Sequence, residues 1–274
     1  YEYAHGKAHN FPRTVYIPGS LPDGSYGQYS SNVFALGSNM SGISVAYDVV
    51  GKICKDNDSS VCRSSYTFHN RSEDFSKLNR TPGTPARCFM ENGLPKEVEI
   101  YSGDGKLFQR TSYNYVQEEN QRKILEGLNI LPICDPGPQF VTLHTFYEYP
   151  SEWWYLDSET VTDYFENGSS SEHIKYVYDK EHHVVNTVIT ECNDGTELKD
   201  NISYLYRKIN DSIPYTVELL EKRSGYVDSV FAWGELRGYG SGIDLKEYST
   251  EGIGQSGYEQ RFAVVEYDDY HNPV

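Results

Sequence analysis

The side chains most able to do chemistry in this sequence cluster at residues 152–159. Glu152, Trp153, Trp154, Tyr155, Asp157 and Glu159 set carboxylates beside aromatic rings. That combination suits sugars, because rings cover apolar C–H faces while acids accept hydroxyl hydrogen bonds. Two such acids could also act as the proton donor and nucleophile of a glycosidase. The competing reading makes one tryptophan a core residue and the acids solvated edge charges. Asp56-x-Asp58-x-Ser60 offers oxygen ligands at the i, i+2, i+4 spacing of calcium loops. It lacks the glycine and distal glutamate of a full loop, so an acidic hairpin tip competes with a Ca2+ site. No other cofactor is expected. His182-His183 adjoin on a strand start, where neighbours point to opposite faces and do not chelate one ion.

No catalytic signature accompanies these groups. The sequence has no Gly-x-Ser-x-Gly, no His-Glu-x-x-His, no phosphate loop and no Gly-x-Gly-x-x-Gly opening a helix. No residue is therefore assigned a catalytic role.

The elements that must carry these residues read as strands. Tyr113-Asn114-Tyr115-Val116, Ile174 to Tyr178 and Val184 to Thr190 alternate in polarity and are rich in β-branched and aromatic residues. Gly103-Asp104-Gly105, Glu166-Asn167-Gly168 and Asn193-Asp194-Gly195 punctuate them with turn chemistry. Tyr101 to Tyr115 and Tyr164 to Tyr178 share one spacing: Tyr, Gly four on, then a closing Tyr-x-Tyr. Glu191 to Tyr206 repeats it with one extra residue. Tyr-x-Tyr places both rings on one face, so stacked hairpins are expected to align them into a cross-strand ladder. Gln117 to Leu128 reads equally as one short helix or a β connection.

The expected fold is all-β, mainly antiparallel hairpins in a meander forming one or two curved sheets, with at most one short helix. Three prolines in Leu131 to Pro138 mark a boundary between an N-terminal β layer, 1–134, and a C-terminal one, 139–274.

Composition narrows the partners. The 274 residues carry 24 Lys and Arg against 40 Asp and Glu, a net charge of −16, with 25 Tyr. So acidic a surface repels phosphate, which argues against nucleic acid. No apolar run approaches the ~18 residues of a membrane span. Five cysteines without CxxC make a zinc framework improbable. Cys54 and Cys62 flank a turn-rich tip, and a disulfide there and unpaired thiols both stay open. Both ends are expected to continue into a longer protein.

The hairpin unit resembles the YD repeat of Rhs-type proteins. Tyr178-Asp179-Lys180-Glu181-His182 and Tyr267-Asp268 to Val274 match it, and Ala46-Tyr47-Asp48 to Gly51 matches more loosely. Asp does not follow Tyr at Tyr164-Phe165, and Glu191-Cys192 replaces the pair altogether. From about Gly37 on, the chain resembles large Rhs/YD-related surface proteins of gut commensal Gram-negative bacteria. The resemblance implies an extracellular, cell-surface β assembly, with carbohydrate contact in some members and a toxin cargo in others.

The sequence thus points to a non-enzymatic cell-surface scaffold, structural or adhesive, with weak carbohydrate binding through Glu152, Trp153, Trp154, Tyr155 and Asp157. Its expected partners are glycans or neighbouring domains of the same long chain. The alternatives are a carbohydrate-active hydrolase using Glu152 or Asp157, and a wall module of an Rhs-type toxin-delivery shell.

Overall fold

The computed structural model describes residues 1–8, 14–17, 27–30, 45–56, 59–72, 89–133, 141–208, 216–240, 244–264 and 266–267. The fold is all-β and antiparallel, and no described helix reaches seven residues. The chain forms two compact units, Tyr1–Leu156 and Asp157–Val274. The expected boundary at Cys134–Pro138 lies outside the described residues.

In the first unit, β1 (Glu2–Ala8), β4 (Val45–Asp56), β5 (Ser59–Phe68), β6 (Pro95–Ser102) and β7 (Leu107–Gln117) lie side by side in that order. Two separate ribbons pair β2 (Thr14–Ile17) with β3 (Gly27–Ser30), and β8 (Lys123–Ile133) with β9 (Val141–Ser151). The segment that read as helix or connection contains a single 3-10 turn, Glu119–Gln121, followed by β8. Strand β10 (Trp154–Phe165) enters the second unit. There it leads into β11 (Gly168–Asp179), β12 (Val184–Glu191), β13 (Glu197–Lys208), β14 (Thr216–Val227), β15 (Val230–Tyr239), β16 (Leu245–Gly252) and β17 (Glu259–Ala263). Each pairs with the next.

Two corners are near copies. At β6–β7, Gly105 N–H donates to Ser102 O at 2.9 Å and Ser102 N–H to Lys106 O at 2.9 Å. At β12–β13, Gly195 N–H donates to Cys192 O at 3.0 Å and Cys192 N–H to Thr196 O at 2.9 Å. Asp104 and Asp194 each accept from the backbone two residues on, and Gly105 and Gly195 take φ of 82° and 87°. Only glycine reaches that region without steric cost. The β10–β11 corner differs, because Phe165 pairs directly with Gly168 across a two-residue turn. Gly168 is absent from the positive-φ glycines. The shared Tyr-to-Gly spacing of residues 101–115 and 164–178 therefore yields hairpins with unlike turns, since the spacing does not specify how many residues the turn itself takes.

The tyrosines do not align as one ladder. Strand order puts β12 between β11 and β13, so Tyr176 sits opposite Val188 and Tyr178 opposite Val185. Rings meet instead in local pairs, such as Tyr248–Phe262 at 5.5 Å across β16–β17 and Tyr204–Tyr206 at 6.5 Å along β13. Tyrosine does mark another feature. Among the described ladders, six register shifts involve tyrosine, at Ile100/Tyr101, Val177/Tyr178, Ser203/Tyr204, Gly225/Tyr226, Gly238/Tyr239 and Tyr248/Ser249, and two, at Cys54/Lys55 and Thr67/Phe68, do not. Such irregularities raise local twist and bend a strand, and a large amphipathic ring can cover the opened ladder while its hydroxyl reaches a polar partner.

Candidate functional site

The aromatic and acidic cluster splits by contacts. In the first unit, Glu152 is only 10% exposed and its Oε1 lies 3.0 Å from Arg122 Nε. Trp154 Nε1–H donates to Glu152 Oε2 at 3.1 Å. Both carboxylate oxygens of Glu152 are therefore engaged by the protein. The backbone fixes the same region, since Glu118 N–H donates to Trp153 O at 3.0 Å. The Trp153 and Tyr155 rings lie 4.7 Å apart, tilted by 37°. All four of these predicted residues are half-buried.

In the second unit, Asp157 Oδ2 accepts from Ser158 Oγ at 3.4 Å, and Ser158 is buried. Glu159 accepts from Tyr176 O–H at 2.8 Å across β10–β11. Both acids are β10 residues, Asp157 bonded to its neighbour on the same strand and Glu159 to the facing strand β11.

The calcium reading falls largely outside the described residues. Asp58 lies outside them, and Asp56 and Ser60 are placed only as backbone at the facing ends of β4 and β5. Among the described residues no group of three or more His, Cys, Asp or Glu could hold a metal ion. Register sets Cys54 opposite Cys62. Tyr267-Asp268 is described only at Tyr267.

The Tyr178-Asp179 motif closes a turn. Asp179 Oδ1 accepts from Glu181 N–H at 2.9 Å, and His183 N–H donates to Asp179 O at 2.8 Å with His183 at φ 60°. His182 Nδ1 lies 2.8 Å from Asp179 Oδ2, and its ring stacks on Tyr206 at 3.7 Å and 17°. Tyr206 O–H completes the set with a 3.4 Å bond to Asp179 Oδ2. The His182 contact, followed by the backbone N–H groups, holds the Asp179 carboxyl below the ordinary aspartate range. The looser match, Tyr47-Asp48, lies mid-strand instead, where Asp48 meets Lys7 Nζ at 3.1 Å. The sequence marked Asp179 and His182 as one motif and Tyr206 as the close of another hairpin, but not that they meet, 27 residues apart.

A second cluster had no sequence signal. Arg223 binds Asp200 and lies 5.1 Å over the Trp233 ring. Arg237 lies 5.9 Å over Tyr248 and 3.5 Å from Glu235. Alternating acid, guanidinium and ring across β13 to β16 makes a rigid polar face, because each guanidinium is held both by charge and by a π surface.

Fold and clusters together define an antiparallel β protein of corner-locked hairpins. No family model matches the chain, and no curated protein matches it. Among solved structures it is similar to the crystal structure of TcdB2-TccC3 without its hypervariable C-terminal region, with a TM-score of 0.42 and 8% identity. The match covers 91% of this chain and 15% of that one.

Proposed function

We propose that this chain is a non-enzymatic β scaffold of a longer, Rhs/YD-like cell-surface protein, with a structural and adhesive role. The observation carrying the reading is the occupied state of the best acidic candidate: Glu152 spends both oxygens on Arg122 and Trp154. A general acid or nucleophile needs a lone pair or proton directed at substrate. The shared geometry of the 102–106 and 192–196 corners supports the same reading, since such corners fix strand register. Glycans and neighbouring domains of the same chain are the partners proposed, with contact through exposed polar and aromatic side chains.

A second reading, a wall module of a toxin-delivery shell, draws support from the register shifts at Tyr101, Tyr178, Tyr204, Tyr226, Tyr239 and Tyr248. Repeated bulges supply the twist and bending that a curling sheet needs.

Incubating the 274-residue chain with a polysaccharide panel and measuring new reducing ends tests the lead reading. No turnover is expected. Hydrolysis that disappears in Glu152→Gln or Asp157→Asn would replace the scaffold with a hydrolase.

A further inference from the structure

We infer that the β4–β5–β6 face of the first unit carries a binding site for a neutral saccharide, at a groove of about 380 Å³ beside the β6–β7 corner. This deepens the adhesive part of the function proposed above and rests on it. The volume falls within the roughly 300–1,000 Å³ of small-molecule sites.

Register builds the groove. Ile53, Arg63 and Tyr101 stand in one row across the three strands, and Gly51, Ser65 and Glu99 form the next row. Rows two residues apart share a face. Ser65 is short and gives a low floor beside the taller Arg63 and Tyr101, while the Glu2 side chain covers Gly51 at the edge of the groove. The corner residues Ser102, Gly103 and Gly105 bound one end. Space is open there, because a Cβ on Gly105 would meet nothing within 4 Å.

The lining matches a sugar's two sides. Ile53 and the Tyr101 ring offer apolar surface to a C–H face, Arg63 and Ser65 offer hydroxyl partners, and Ser102 Oγ, whose proton goes to Asp104, is left as an acceptor. The Arg63 fork presents paired donors that fit vicinal hydroxyls. Its partner Glu2 is 3.6 Å away, and both side chains are more than half exposed. Such a pair is worth little in water, so the guanidinium can turn to a ligand. Tyr101 is held upright because its O–H donates to Glu99 at 2.6 Å, while Arg110 grips the same carboxylate at 2.6 Å. Tyr101 therefore serves as a fixed surface and Arg63 as an adaptable donor.

Charge selects the ligand class. Glu2 offsets the groove residue Arg63, Arg110 offsets Glu99 behind Tyr101, and the chain carries a net −16. Anionic ligands meet an unfavourable field, whereas a neutral polyol does not.

Saturation-transfer NMR on the 274-residue chain with glucose, galactose, mannose and N-acetylglucosamine tests this, with inorganic phosphate and glucuronate as charged controls. At least one neutral sugar should receive saturation. Arg63→Ala should weaken it about tenfold, the effect of losing one directed donor pair, without changing the unfolding temperature by more than a few degrees. Ser65→Trp should fill the floor and abolish the signal. Transfer to the charged controls alone, to none of the sugars, or unchanged transfer in both variants would overturn the assignment. In the last case, adhesion through another face would survive, whereas released hydrolysis products would overturn the scaffold itself.

Discussion

The indole of Trp233 lies across Gly225, its partner on the facing strand, so closely that a Cβ on residue 225 would sit 2.5 Å from Trp233 Cε2. The same arrangement places Tyr147 over Gly127 and Tyr47 beside Gly6, each pair matched in register. A glycine leaves a gap in a pleated surface, and a cross-strand aromatic fills it. In this chain, glycine is therefore a packing partner for aromatic rings as well as a corner residue.

Gly225→Ala should destabilise the protein by about 1–3 kcal/mol, the usual range for forcing extra volume into a packed site. In a Trp233→Ala background the same change should cost much less. Urea unfolding of the two singles and the double measures this coupling. Equal costs in both backgrounds would show that the indole does not occupy the slot.

The corners make a sharper comparison. Gly105→Ala and Gly195→Ala should each cost about 1–2 kcal/mol, because both positions need φ near +85°. Gly168→Ala should be close to neutral, since its corner makes no such demand and a Cβ there meets nothing within 4 Å. Thermal unfolding of the three variants checks the ordering. A costly Gly168→Ala would mean that all three hairpins share one turn after all.

This is where sequence was most and least informative. Gly103-Asp104-Gly105 and Asn193-Asp194-Gly195 announce their corners because aspartate and glycine act locally, within five residues. Phe165-Glu166-Asn167-Gly168 resembles them in spacing, yet one residue more or less in the turn is invisible to a pattern. Local chemistry also cannot show that β1 passes over β2 and β3 to pair with β4, or that Arg122 closes on Glu152 thirty residues later. The tight β14–β15 turn was illegible for a different reason. Asp228 and Ser229 adopt φ of 47° and 67° although neither is glycine. Their strain is held by a distant clamp, in which Asp228 N–H donates to Glu197 O and Glu197 N–H donates to Asp228 Oδ1.

Three corner aspartates predict an acid transition. Asp104 is lowered chiefly by Ser102, Asp179 by His182 and Asp194 by the Thr196 amide, each below the ordinary aspartate value. A depressed folded value means stability fully present above the unfolded value and lost as pH falls through the folded one. The loss should therefore begin below about pH 4. Circular dichroism titration of wild type and the Asp104→Asn, Asp179→Asn, Asp194→Asn triple variant should show a weaker acid dependence in the variant. Parallel curves would remove the corner carboxylates from the account.

Glu152→Gln should lower stability by about 1 kcal/mol, because the enclosed Glu152 loses its charge-assisted bond to Arg122, whose own side chain is 41% exposed and screened by water. Saccharide binding at the Arg63 groove should be unaffected. Denaturant unfolding and saturation transfer on the same sample separate the two effects. Lost binding with unchanged stability would return Glu152 to the ligand.

Native-state amide exchange tests the scaffold most directly. If corner-locked hairpins form a rigid platform within each unit, ladder amides of β6 and β7 will share one protection and one denaturant dependence, and those of β12 and β13 will share theirs, each exchanging only when its unit unfolds. Fast, denaturant-independent exchange along β6–β7 or β12–β13 would contradict that platform.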